Sequence, residues 1–170
     1  MFVRDAAGSD GAALADIYNH YIDHTIVTFE EERVAAAGMA RRVEDVRAAA
    51  LPWLVAERDG ELLGYAYATG WRARAAYRFC VEVSVYLRHD RFGVGLGTAL
   101  YDELFARLAA RGFHSLLGCI SLPNEASIAL HEKFGMRKVA HFPEVGFKFG
   151  RWIDVGYWQK NLPGPAQATA

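Results

Sequence analysis

Three glycines at alternate positions, Gly93, Gly95 and Gly97, stand between a segment that reads as a strand and one that reads as a helix. Arg78 to Leu87 is rich in β-branched and aromatic residues. Gly97 to Arg111 sets Leu100, Leu104 and Leu108 on one helical face and stops at Gly112. A strand, a glycine turn and a helix in succession commit the chain to a layered mixture of sheet and helix. Glycine also lets the backbone approach a ligand closely, and the first turn of a helix has free N–H groups. Together these make a site for phosphate or pyrophosphate. A Walker loop requires Gly-Lys-Ser/Thr, and no lysine lies between Gly97 and Thr98. A dinucleotide fingerprint requires a third glycine where Thr98 stands, and usually follows the opening strand. A turn needed only for tight packing is the remaining alternative.

The rest of the chain reads as follows. Phe2 to Asp5 is a short strand, and Ser9 or Asp10 caps a helix with Leu14, Ile17, Tyr18, Tyr21 and Ile22 at helical spacing. His24 to Glu31 is extended. A second helix runs roughly from Val34 to Ala50. Trp53 to Glu57 and Leu62 to Thr69 are strands joined by Asp59-Gly60, a type I′ hairpin signal. His114 to Ser121 is a strand, Asn124 caps a helix to Phe134, and Met136 to Phe142 and Ile153 to Gln159 close the sheet. The order β-α-α-β-β-β-α-β-α-β-β predicts one α/β (α+β) domain with a mixed sheet over residues 1–162, and residues 163–170 as a frayed tail.

Composition narrows the function classes. Nineteen Lys+Arg against 20 Asp+Glu give a formal net charge of −1, which argues against a broad electrostatic grip on nucleic acid or lipid. No apolar run approaches the roughly 20 residues of a membrane helix. The N-terminus carries no signal-peptide pattern, so a cytoplasmic setting is expected. Cys80 and Cys119 lie in apolar strand-like runs and read as buried free thiols, with a single bridge as the lesser alternative. No cluster has metal-ligand spacing, so no metal is expected.

One carboxylate is out of place. Period-two alternation puts Cys80, Glu82, Ser84 and Tyr86 on one face of their strand and Val81, Val83, Val85 and Leu87 on the other. Glutamate is depleted in strands and costly to bury unpaired. Burial would raise its pKa toward the range of a useful base, and a structural ion pair with Arg78 is the alternative. Just before this strand, Trp71, Arg72, Ala73, Arg74, Tyr77 and Arg78 mix cations and aromatics, a combination suited to binding a carboxylate or phosphinate.

Asp90 to Gly95 resembles the Q/R-x-x-G-x-G/A pyrophosphate loop of the GNAT superfamily of N-acetyltransferases, with Asp90 where the pattern has Gln or Arg. Ile17 to Tyr21, Trp53 to Glu57, Val85-Tyr86, Gly95 to Gly97, Leu122 to Asn124, His131-Glu132, Gly146 to Lys148 and Trp152 to Gly156 resemble the phosphinothricin acetyltransferase branch. The resemblance spans about residues 2 to 162. It implies a mostly antiparallel sheet of about seven strands flanked by about four helices and splayed at the acetyl-CoA site. It implies acetyl-CoA contacts from Val85, Tyr86, Leu87, Arg91, Phe92, Gly93, Val94, Gly95, Leu96, Gly97, Thr98, Asn124 and Ser127. It implies acceptor contacts from Phe29, Trp71, Arg72, Ala73, Arg74, Glu82, Val83 and Ser84. Glu82 becomes the expected base and His131 the expected general acid. The implied reaction is direct acetylation of the α-amine of a small amino-acid analogue such as phosphinothricin or methionine sulfoximine, in a homodimer. Another small amine, a protein N-terminus, or a CoA-binding domain without catalysis are the alternatives.

Overall fold

The computed structural model describes residues 1–91 and 95–163. In chain order the elements are β1 (Phe2–Asp5), α1 (Gly11–His24), α2 (Ala36–Ala48), β2 (Trp53–Arg58), β3 (Glu61–Gly70), β4 (Cys80–Leu87), α3 (Leu96–Ala110), β5 (Ser115–Leu122), α4 (Glu125–Lys133), β6 (Arg137–Lys148) and β7 (Arg151–Asn161). The strands form one sheet in the order β1-β2-β3-β4-β5-β7-β6. Every pairing is antiparallel except β4 with β5. The expected seven-stranded, mostly antiparallel sheet with four helices is therefore present among the described residues.

Local chemistry explains the framework. Asp59 and Gly60 both take positive φ, +54° and +79°, as a type I′ turn requires, and β2 and β3 follow as a hairpin. In α3, Leu96, Leu100, Leu104 and Leu108 recur every fourth residue and are buried. Each fully buried leucine contributes about 1.5–3 kcal/mol. The helix ends as the chain turns through Gly112 at φ +78°. Asp10 precedes α1, but its carboxylate accepts from the Ala7 N–H at 2.8 Å and pairs with Arg4 instead of capping the helix.

Alternation across the register sorts the sheet into two faces. Trp53, Tyr65, Tyr67, Ser84, Glu82, Leu117, Cys119 and Tyr157 share one face. Trp53 stacks on Tyr67 at 4.2 Å, and Tyr86 meets Tyr18 of α1 edge-on at 5.0 Å. On the opposite face, Gly118 meets His131 of α4.

Three expectations need correction. The thiols are free, but Cys119 is exposed and Cys80 half-buried. Both lie in apolar runs, yet alternation puts them on the face that opens to a cavity. Strand β4 starts at Cys80, because Ala75–Tyr77 forms a 3₁₀ turn that takes in Arg78 as its cap. The two closing strands run longer than the sequence suggests. Pro143 lies inside β6, an edge strand, where a missing N–H is tolerated. A bulge between Phe142 and Gly146 absorbs the irregularity, pinned by Asp154, which accepts from the Glu144 N–H at 2.8 Å and bonds His141 at 2.7 Å.

Candidate active site

The parallel pairing of β4 with β5 covers Cys80, Val81 and Glu82 and then stops, although both strands continue. Beyond Glu82 the sheet splays. Main-chain groups alternate sides along a strand, so those of Val83 and Val85 that would face β5 open onto the gap. Leu87 faces the same way, but Tyr21 holds it: the Tyr21 hydroxyl donates to the Leu87 carbonyl at 2.6 Å and accepts its N–H at 3.3 Å. Val83, Ser84, Val85, Tyr86, Cys119 and Ser121 line the gap from the strands, and Tyr101, Asn124, Ser127 and His131 from the helices.

The Ser121 hydroxyl is buried there without a hydrogen-bond partner among the described residues. An unmet buried donor costs about 1–3 kcal/mol, so the gap suits a ligand with polar groups along its length. One end of β4 leads to α3, whose cap Gly95 is left-handed at φ +73° and whose first turn offers free N–H groups. The Thr98 hydroxyl accepts from Lys133 at 3.0 Å. Leu96 and Gly97 are buried, and a Cβ at Gly97 would meet Leu130 at 3.0 Å, so Gly97 serves close helix packing. Phe92, Gly93 and Val94 lie outside the described residues. Arg91 sits 3.5 Å from Glu61, and Arg88 forks onto Asp90 at 2.8 and 2.9 Å, holding that carboxyl down to about 2.

A larger cavity of about 760 Å³ opens on the Glu82 face. Phe29, Trp71, Tyr77, Leu117, Phe142, Val155 and Tyr157 make it largely apolar, and Arg72 places a cation on its wall, stacked 4.6 Å over Trp71. Cys119 lines both the cavity and the gap, so the two spaces meet beside it. Ala73 and Arg74 are exposed next to the cavity, whereas Val83 and Ser84 line the gap.

Glu82 is half-buried and forms no ion pair among the described residues; Arg78 instead bonds the Ala75 carbonyl. Its strand neighbours are Thr69 and Leu117, and its charge is felt by Tyr67, Cys119 and Tyr157. Loss of hydration pushes its carboxyl above the ordinary 4.5. Such a carboxylate can take a proton from an ammonium group.

His131 has a different character. It is buried, its Nδ1 lies 2.7 Å from the Ser127 carbonyl and its Nε2 lies 3.0 Å from the Tyr101 hydroxyl. A carbonyl only accepts, so Nδ1 carries the hydrogen and Nε2 accepts from Tyr101. Burial lowers the pKa further. The imidazole is thus neutral with both nitrogens engaged, a poor fit to the expected general acid. Asn124 caps α4, accepting from the Ser127 N–H at 3.1 Å. Tyr21, Tyr101, Cys119, Ser121 and Tyr157 belong to the site without having been singled out in the sequence. Tyr21 and Tyr101 sit at core-like helical spacing, and the strand residues could be found only once the register was known.

A family model for the acetyltransferase (GNAT) domain matches residues 3–156. The chain belongs to the GNAT family. This acetyltransferase is 40% identical to the phosphinothricin N-acetyltransferase of Streptomyces viridochromogenes, over 96% of this chain and 89% of that one. It is 38% identical to the L-methionine sulfoximine/L-methionine sulfone acetyltransferase of Pseudomonas aeruginosa, over 94% of each. A crystal structure of a phosphinothricin acetyltransferase from Sinorhizobium meliloti in complex with acetyl-CoA superposes with a TM-score of 0.93 at 37% identity, covering 99% of this chain and 91% of that one.

Proposed function

We propose that this acetyltransferase moves the acetyl group of acetyl-CoA onto the α-amine of a small amino-acid analogue of the phosphinothricin or methionine sulfoximine kind. The observation that carries the reading is Glu82, a desolvated carboxylate with no ion pair among the described residues, on the strand face between Cys80, which lines the cavity, and Ser84, which lines the gap. Acetyl-CoA supplies an activated acyl group. The first turn of α3 and the loop before it hold its pyrophosphate, and the open main-chain groups of Val83 and Val85 bond its pantetheine arm and polarise the thioester carbonyl. Arg72 holds the acceptor carboxylate while Trp71, Phe29 and Tyr157 enclose its side chain. Glu82 takes the proton from the ammonium, directly or through water, and the freed amine attacks the carbonyl with no covalent enzyme intermediate; the C–N bond forms, the C–S bond breaks, CoA leaves as its thiolate, and the surplus proton on nitrogen passes to that thiolate directly or through water. His131 keeps Tyr101 oriented in the wall of the gap. This is detoxification chemistry, and the free thiols fit a reducing cytoplasm.

We further propose a homodimer through β6 and β7. Phe142, Val145, Phe147, Phe149 and Trp152 are exposed there, with Trp152 61% accessible, more apolar surface on one edge than an isolated domain usually leaves to water.

A CoA-release assay across phosphinothricin, methionine sulfoximine, ordinary amino acids and polyamines tests the substrate reading. Turnover of an amino-acid analogue supports it. Turnover confined to polyamines, or to no amino-acid compound, would overturn it.

A further inference from the structure

The early loop from Thr25 to Ala35 carries Phe29 into the cavity wall, and strand β6 holds that loop from behind. Gly146 lies directly under the Phe29 ring: a Cβ there would stand 2.3 Å from both Cε2 and Cζ, far inside any tolerable contact. The φ of Gly146 is not in the left-handed region, so glycine is needed here for space and not for conformation. Two residues on, Lys148 is buried and its Nζ donates to the Thr28 carbonyl at 2.8 Å. A buried ammonium is expensive. Burial pushes its pKa down, while Asp23 and Glu31 oppose that shift and Phe149 lies 4.9 Å away. This cost has a geometric return, since the carbonyl it binds directly precedes Phe29. The other side of the loop is tied separately. The Thr28 hydroxyl bonds Tyr18 at 2.8 Å, Tyr18 donates to Glu30 at 2.9 Å, and Arg42 grips both Glu30 oxygens at 2.8 Å.

We propose that Gly146 and Lys148 are positioning residues that fix the Phe29 wall and thereby set which acceptor side chains the cavity admits. The inference rests on the reading of that cavity as the acceptor site. Neither residue lines the gap; the loop they hold reaches it through Val27, but both grip the loop at Thr28 and Phe29 on the cavity side, so their effect should fall chiefly on the acceptor. The bulge before Gly146 explains how one strand does two jobs: Val139, Ala140, Phe142 and Val145 line the cavity, and past the bulge Gly146 and Lys148 turn toward the loop.

Wild type, Gly146→Ala, Lys148→Met, Phe29→Leu and the Gly146→Ala/Phe29→Leu double variant are compared in two measurements. Steady-state kinetics use methionine sulfoximine and phosphinothricin as acceptors. Hydrogen exchange follows residues 25–35 against the rest of the chain. Gly146→Ala and Lys148→Met should each raise the acceptor KM by about tenfold or more, with unequal effects on the two acceptors and the acetyl-CoA KM within about twofold. Both should lose exchange protection in 25–35 alone. The smaller side chain of Phe29→Leu makes room for a Cβ, so the Gly146→Ala penalty should shrink in that background. Equal changes in both KM values, additive penalties in the double variant, or unchanged exchange in 25–35 would overturn the proposal. If wild type acetylates neither acceptor, the substrate reading fails, and the exchange result still decides whether Gly146 and Lys148 hold the loop.

Discussion

The proposed chemistry concentrates in one side chain, Glu82. Removing its charge while keeping its shape should cost 10²–10⁴ in kcat/KM, the usual worth of a positioned base, with acetyl-CoA still binding. The acid limb of the wild-type kcat/KM profile should have its midpoint above the ordinary 4.5, because desolvation raises the carboxyl, and Glu82→Gln should lack that limb. A wild-type profile in the variant would remove Glu82 from the role. The same shift has an opposite consequence for stability. A carboxyl raised in the fold favours the protonated native state, so its ionisation destabilises the protein as pH rises through the folded value. Glu82→Gln should therefore melt higher than wild type at neutral pH, and the gain should vanish below about 4.5, where both states of the wild type are protonated. Melting curves at two pH values check the sign. Gly118 is a second residue-level constraint. A Cβ there would lie 2.4 Å from the His131 ring, so Gly118→Ala should destabilise by about 1–3 kcal/mol as an overpacked site, measurable by denaturant unfolding.

At the scale of elements, the site is built where regular structure gives way. The β4–β5 ladder ends, the chain leaves β4 for the loop before α3, and α4 begins at a capped asparagine. Asn124→Ala removes the acceptor for the Ser127 N–H and should cost about 0.5–2 kcal/mol. It should also loosen Ser127, whose carbonyl fixes the His131 tautomer, so kcat should fall along with stability. Leu104 in α3 is fully buried and away from both spaces. Leu104→Ala should cost about 2–5 kcal/mol while leaving the KM values of the folded enzyme unchanged. The contrast separates an element that carries the core from one that also frames the chemistry. A matching loss of stability with unchanged kcat in Asn124→Ala would reduce Asn124 to a cap.

At the scale of the whole molecule, one sheet separates two kinds of packing. One face buries valine and alanine under α3, and the other collects tyrosines, tryptophan and Glu82 on the side of the large cavity. The β6–β7 edge leaves its aromatic side chains in water. Trp152→Glu should weaken self-association and shift sedimentation toward the monomer, with little effect on secondary structure. A wild type already monomeric at micromolar concentration would contradict the dimer.

Much of this was present in the order of residues. The Asp59-Gly60 hairpin, the leucines of α3, the alternation that isolates Glu82 and the helix begun by Asn124 all depend on neighbours within a few positions, where local chemistry decides. The family resemblance extended that reading to the acetyl-CoA loop and the acceptor segment. Other features required contacts between distant parts of the chain. Whether Glu82 is paired, which ring nitrogen of His131 carries its proton, the meeting of cavity and gap at Cys119, the hold of Tyr21 on Leu87, and the seat of Phe29 on Gly146 join residues up to 120 positions apart, as in Lys148 to Thr28. No local pattern encodes such a pairing, because it depends on the register and bulges of strands that meet only in the folded sheet. The sequence by itself determined the class of fold and the chemistry available to it; only the tertiary structure decided which of those groups face one another across the site.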